Sequence, residues 1–176
     1  MKKILYCLLG IALLAGCGHK ASREEQIKNI EEMEQNFSYN VLDTDTLMPV
    51  EMIRLYRQFY TQFADDSLAP VYMERTANMC ITLGRQDEAV ALFDSIINFY
   101  PGYEDLPLCY FFKGFAFENA EQYDSAKVAY TYFIENYPDH YLAAGAKASL
   151  EHLGQPLEDM LADILADAND ANLAQE

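Results

Sequence analysis

Basic residues are scarce in this chain of 176 residues, which has 12 lysines and arginines against 28 acidic residues. The formal net charge of −16 at pH 7 would repel phosphate backbones, so we do not expect a nucleic-acid partner. Anionic lipid surfaces would be repelled as well, so any attachment to a membrane has to be covalent or hydrophobic. Solubility alone is a second interpretation of the same charge.

Recognisable catalytic and metal-binding patterns are also lacking. The three histidines, His19, His140 and His152, are not spaced as a zinc pair, and neither His-Glu-x-x-His nor Cys-x-x-Cys occurs. The chain contains no Gly-rich phosphate loop and no Gly-x-Ser-x-Gly nucleophile elbow. We therefore predict that the protein is not an enzyme, uses no cofactor and holds no metal.

Tryptophan is absent, so aromatic packing has to rest on the 13 tyrosines and 10 phenylalanines. Hydrophobic residues make up 51% of the chain, which is enough for one domain with a proper core. The sequence has no alternating apolar and polar runs of the kind that indicate strands. It therefore predicts an all-α protein.

The first sixteen residues, 1–16, have the pattern of a signal peptide. Lys2 and Lys3 precede an apolar stretch, 4–14, which is shorter than the ~20 residues that a membrane-spanning helix needs. The sequence Leu-Ala-Gly-Cys at 14–17 resembles the lipobox of bacterial lipoproteins. The resemblance implies a diacylglycerol on the Cys17 thiol and a further acyl chain, such as palmitate, on its amino group, which together hold a protein stably at a membrane. An ordinary secretory signal, with Cys17 incidental, is the alternative.

No aspartate directly follows Cys17. By the sorting rule of these lipoproteins, this resemblance implies the outer membrane, with the body of the protein facing the periplasm. Exposure on the cell surface stays open, as does the leaflet. An oxidising compartment would permit a disulfide between Cys80 and Cys109, but both lie in apolar helical runs, and we favour two buried thiols over a bridge.

The body of the chain repeats every 37 residues. The motif at 100–102, Tyr-Pro-Gly, returns at 137–139 as Tyr-Pro-Asp. Large apolar residues keep the same step in two series, Tyr56, Phe93 and Tyr130, and Phe59, Ile96 and Phe133. This many matches in one register indicate a true repeat.

Each repeating unit has the pattern of two helices. Asp87 and Asp124 stand before apolar residues at helical spacing, where we expect them to cap the second helix of each unit. Pro101 and Pro138 should end these helices, because proline disfavours the helical conformation in the residue before it. In the intervening segments, Pro70 and Pro107 fall where a first helical turn tolerates proline.

These residues resemble the tetratricopeptide repeat (TPR). The family pattern has a small residue, an alanine, an aromatic and a proline at set positions, and two consecutive units supply them. The earlier unit has Ala77, Ala89, Phe93 and Pro101, and the later unit has Gly114, Ala126, Tyr130 and Pro138. The resemblance covers roughly 48–154 and implies a solenoid of antiparallel helix pairs, with a period of 37 residues instead of 34 and with Lys113 where a leucine is usual. The first unit keeps only its second helix, 49–63, and the last keeps only its first helix, closed by Gly154.

Two segments flank this repeat domain. The N-terminal segment, 17–47, contains a capping box at 22–25 that should open a polar helix to about Asn36, followed by a loop at 43–46. The C-terminal segment, 155–176, contains a last helix, 157–168, and an acidic tail. Its apolar stripe would cover the open end of the stack, as a capping helix does in a solenoid.

If the chain is a TPR-type solenoid, the first helix of each unit lines a concave groove. The resemblance places the ligand-facing positions of this partner-binding groove on Glu74, Asn78 and Ile81, and on Phe111, Phe115 and Glu118. Phe111 and Phe115 are four residues apart and share one helix face. Such a groove would suit a peptide with apolar anchors and basic flanks, although either ring could instead be buried in the core.

The resemblance implies a non-catalytic scaffold or adaptor for protein–protein interaction in the cell envelope. The anchor followed by lengthened repeats is similar in layout to the TPR lipoprotein of the outer-membrane protein assembly complex, which makes outer-membrane protein or envelope assembly the expected process by analogy. A structural role, as a self-associating or peptidoglycan-linked coordinator, is the second hypothesis, and a hydrolase or metal enzyme is the third. The sequence determines neither the partner nor the oligomeric state.

Overall fold

The computed structural model describes residues 21–39, 47–156 and 159, and these residues form helices and turns without a strand. The predicted signal peptide at 1–16, Cys17, the predicted loop at 43–46 and most of the predicted last helix at 157–168 lie outside the described residues. In the described part, no helix is long and apolar enough to cross a bilayer. The helices are α1 Arg23–Tyr39, α2 Leu47–Gln62, α3 Ala69–Thr82, α4 Gln86–Phe99, α5 Leu106–Asn119, α6 Tyr123–Asn136 and α7 Ala143–Glu151.

Each helix packs chiefly against the helix before it and the helix after it, and α3 also contacts α5. The helices therefore form consecutive antiparallel hairpins, α1–α2, α3–α4 and α5–α6, followed by α7. The all-α, TPR-like solenoid predicted from the repeat is confirmed. A solenoid of this kind buries a continuous core because each hairpin covers the apolar side of its neighbour.

The residues that repeat at 37-residue steps form this core. Tyr56, Phe93 and Tyr130 are 2% exposed or less, and Phe59, Ile96 and Phe133 are fully buried. They belong to three apolar clusters that follow one another along the chain. Aromatic rings from adjacent helices touch within the clusters, as Phe59 and Tyr72 do edge-to-face at 4.8 Å between centroids.

The helix ends agree with the prolines and disagree with the predicted caps. Helices α4 and α6 end two residues before Pro101 and Pro138, as predicted. Asp87 and Asp124 are not N-caps, because Arg85 and Gln122 occupy that position and Asp87 and Asp124 lie in the first turn. There, each carboxylate stabilises its helix through the helix dipole instead of through a capping hydrogen bond.

Helix α1 completes the first hairpin, whereas the sequence assigned that unit only a second helix. Ile30 of α1 is 1% exposed and packs in one cluster with Tyr56 and Tyr72. The side-chain amide of Gln26 donates from Nε2 to Gln62 Oε1 at 2.9 Å, and the Tyr56 hydroxyl donates to Glu34 Oε1 at 2.7 Å. The predicted capping box is present in part, since the Glu25 amide donates to Ser22 Oγ at 3.2 Å. The seven residues between α1 and α2 shift α1 out of the 37-residue register and hide its relation to α3 and α5.

Candidate functional site

Helices α3 and α5 are the first helices of consecutive hairpins, and they contact each other directly. They carry all six predicted partner-binding residues. The structure gives these residues different environments. Glu74 and Asn78 are hydrogen-bonded to each other, Phe111 and Phe115 differ in exposure, and Ile81 and Glu118 lie near the ends of their helices.

Glu74 and Asn78 form a hydrogen-bonded pair on α3. The Asn78 amide donates to Glu74 Oε1 at 3.5 Å, while the Tyr103 hydroxyl, from the turn before α5, donates to Glu74 Oε2 at 2.5 Å. Burial raises the pKa of Glu74, and the nearby Asp105 carboxylate adds to the rise. Glu74 therefore connects α3 to the turn that leads into the next hairpin.

Phe111 and Phe115 share a face of α5 but do not share an environment. The Phe111 ring lies 5.7 Å from the Tyr130 ring and 5.6 Å from the Phe133 ring, between centroids, so it belongs to the packed cluster between α5, α6 and α7. Phe115 is 39% exposed, and its ring lies 6.5 Å from that of Phe112. Of the two rings, Phe115 is the one that an incoming side chain could reach.

Ile81 and Glu118 are partly buried positions near the ends of their helices. Ile81 packs against the central apolar cluster. Glu118 Oε2 accepts a hydrogen bond of 2.7 Å from the Tyr130 hydroxyl, so one of its oxygens is engaged inside the hairpin. This bond also holds the Tyr130 ring across Gly114, where an added Cβ would lie 2.8 Å from two ring carbons.

A second surface, along α5 and α6, was not predicted from the sequence. It is a groove of about 510 Å³ between residues of the two helices. The lining side chains are Tyr110, Lys113, Phe117, Asp124, Ser125, Val128, Ala129 and Tyr132. The sequence does contain a sign of this groove. When α5 and α6 are compared with α3 and α4 at 37-residue steps, the side chains that cover the earlier unit are replaced in the later one.

Two cysteine thiols are buried in the described region. Cys80 and Cys109 are free thiols and are both fully buried, as the sequence favoured. Burial raises the pKa of Cys80 to about 11 and raises that of Cys109 as well, so neither is a thiolate at neutral pH. Within the same described residues, no group of three His, Cys, Asp or Glu side chains is arranged to hold a metal ion.

The serial hairpins define the class of the fold, which is a TPR-like helical solenoid. The tetratricopeptide-repeat family model matches residues 113–140, which run from the middle of α5 through α6 to the following turn. The match supports a tetratricopeptide-repeat protein, and repeats of this kind commonly mediate protein–protein interactions. No curated protein and no solved structure matches the chain.

Proposed function

We propose that this protein is a non-catalytic interaction scaffold of the bacterial envelope, held at the outer membrane through lipidated Cys17 and facing the periplasm. Its solenoid binds a protein or peptide partner, and its process is outer-membrane protein or envelope assembly. The assignment of process is an analogy, based on the similar layout of the assembly-complex lipoprotein.

The observation that carries the proposal is the exposed Phe115 on the first helix of the unit that the family model matches. The Phe115 ring is 39% exposed, so a large apolar side chain is available there as an anchoring contact. Glu118 on the same helix and Glu74 on α3 supply negative charge. A partner segment with an apolar side chain flanked by lysine or arginine complements this surface.

The first experiment tests the partner surface. A photo-reactive amino acid replaces Phe115 in intact cells, and the crosslinked proteins are compared with those from the same replacement at Lys28, which is 75% exposed on α1. We expect one defined adduct at position 115 that is missing at position 28. A second preparation carries Phe115→Ala, which should keep the helical circular dichroism and lose the adduct's partner in co-purification.

The outcome that would overturn this surface is specific. Adducts identical at both positions would mean that collision, not docking, produces them. A loss of stability of about 3–5 kcal/mol in Phe115→Ala, as expected for emptying a buried ring, would mean that Phe115 is part of the core.

The anchor is tested separately from the solenoid. Cells fed an alkyne-tagged palmitate should label the wild-type protein, and Cys17→Ser should abolish the label and release the protein from the membrane fraction. A labelled Cys17→Ser variant would contradict the assignment of the lipid to this residue.

Self-association is the second candidate, and the exposed rings at the solenoid edge favour it. Phe99, the last residue of α4, and Tyr141, in the turn before α7, are 76% and 77% exposed. Light scattering on residues 18–176 distinguishes the two functions. A stable oligomer that dissociates in Phe99→Ser or Tyr141→Ser would support the structural role, and a monomer would support the adaptor.

A further inference from the structure

The groove along α5 and α6 has an apolar surface that stays exposed among the described residues. Val128 is 70% exposed and Tyr132 is 42% exposed. The Tyr132 ring lies 4.5 Å from the Tyr110 ring between centroids, so two aromatic rings are in contact on the lining of the groove. Lys113 also lines the groove and pairs with Asp94 of α4.

The corresponding face of the preceding unit is closed. At 37 residues before Tyr110, Lys113 and Phe117, helix α3 has Met73, Thr76 and Cys80, which are 8%, 0% and 0% exposed. In the later unit, all three positions carry larger side chains that stay partly exposed. The same face of a first helix is therefore core in one unit and accessible in the next.

The side chains above this face explain the difference. Glu88 and Leu92 of α4 are replaced in α6 by the smaller Ser125 and Ala129. Glu88 also forms an ion pair with Arg57 of α2. This ion pair connects α2 and α4, which are the second helices of consecutive hairpins. The residue that follows Arg57 by 37 positions is Asp94, which cannot make the equivalent bridge to Ser125.

Charge indicates what kind of segment fills the open groove. Residues 86–136, which contain α4, α5 and α6, include nine acidic and two basic residues. One of the two, Lys113, is already paired with Asp94, and Asp124 is exposed on the lining of the groove. A cationic group of a partner is therefore attracted to the Asp124 carboxylate at this groove.

We infer that the α5–α6 groove is a second docking surface, which takes a peptide segment of a partner protein presenting a large apolar side chain next to an arginine or lysine. The apolar side chain lies against Tyr110, Phe117 and Val128, and the cation lies by Asp124. The inference rests on the proposed role as an interaction scaffold, and it assigns that role a surface distinct from Phe115.

The test transplants the chain's own closed arrangement into the open unit. Ser125→Glu with Ala129→Leu introduces the side chains that α4 carries at these positions. Because Ala129 is only 8% exposed and α5 carries larger side chains than α3, the fold of this variant has to be checked directly. Peptides are selected from a random display library on the wild-type residues 18–176, and the binders are then measured by fluorescence anisotropy on the wild type, on the double variant and on Phe115→Ala. Far-UV circular dichroism of each variant confirms the fold.

We expect selected peptides to pair an apolar residue with an adjacent arginine or lysine. Their affinity should fall at least about tenfold on the double variant, as when an interface anchor loses its pocket, and should be unchanged on Phe115→Ala. As a second readout independent of the double variant, Asp124→Asn should weaken the same peptides and leave the circular dichroism unaltered.

Three results would overturn the inference. Peptides that bind the double variant as tightly as the wild type do not use this groove. Peptides that lose affinity only on Phe115→Ala use the surface of the proposed function instead, which would remain supported while the second surface fails. A selection that yields no binder would count against both surfaces.

Discussion

The close approach of α5 and α6 at Gly114 leads to a prediction with opposite signs at two glycines. Gly114 is buried, and a Cβ added there would lie 2.8 Å from two carbons of the Tyr130 ring, which is itself fully buried. Gly145 lies in α7, and a Cβ added there meets nothing within 4 Å. The substitution to alanine is therefore chemically the same at both positions and sterically different.

The magnitudes follow from two terms. Alanine in place of glycine stabilises a helix by about 1 kcal/mol, and this gain applies to both variants. Overpacking a filled core costs about 1–3 kcal/mol, and this cost applies only at Gly114. We expect Gly145→Ala to raise the free energy of unfolding by about 0.5–1 kcal/mol and Gly114→Ala to lower it by about 1 kcal/mol.

Thermal unfolding followed by circular dichroism measures both variants, with a shift of about 2–4 °C expected per kcal/mol for a chain of this size. The Tyr130 hydroxyl bond to Glu118 holds the ring over Gly114, whereas the preceding unit combines Ala77 with Phe93. Tyr130→Phe should therefore reduce the cost of Gly114→Ala in a double-mutant cycle. If Gly114→Ala stabilised the protein as much as Gly145→Ala, the ring would have room and the reasoning would be wrong.

Three further predictions concern the turns, a buried acid and the thiols. Glu121 has a φ of +58° where the preceding unit has Gly84 at +74°; since the left-handed region costs a side chain about 1–2 kcal/mol, Glu121→Gly should raise the urea midpoint and Gly84→Ala should lower it. Because burial raises the pKa of Glu74 in the folded state, Glu74→Gln should stabilise the protein at pH 7, and the gain should vanish below the unfolded-state pKa, where both states are protonated; a gain that persists at low pH would contradict this cause. Cys80 and Cys109 should react with Ellman's reagent only as the chain unfolds in urea, and rapid labelling of the native protein would show that either thiol is accessible.

The repeat was readable in the sequence because its core positions recur at one fixed step. Tyr56, Phe93 and Tyr130 are equivalent by position, by chemistry and by burial, and proline marks the ends of α4 and α6. Helix α1 escaped detection as part of the first hairpin because a longer connection breaks the step. Its Ile30 and Gln26 show their relation to α2 only through contacts.

The difference in burial between Phe111 and Phe115 could not be predicted, since both lie on one face of one helix. Phe111 is packed because the Tyr130 and Phe133 rings of α6 lie against it, and these contacts depend on the tertiary arrangement. The α5–α6 groove could not be predicted for the same reason. Its exposure depends on which side chains of neighbouring helices lie next to Lys113.

The amino-acid sequence by itself determined the helical hairpins, their period and the residues that fill the core, because these follow from local periodicity and from the step of the repeat. Only the tertiary structure decided which apolar side chains stay exposed at the surface. Burial is a property of pairs of surfaces, so the accessible Phe115, the packed Phe111 and the open groove along α5 and α6 became distinguishable only once the hairpins were stacked.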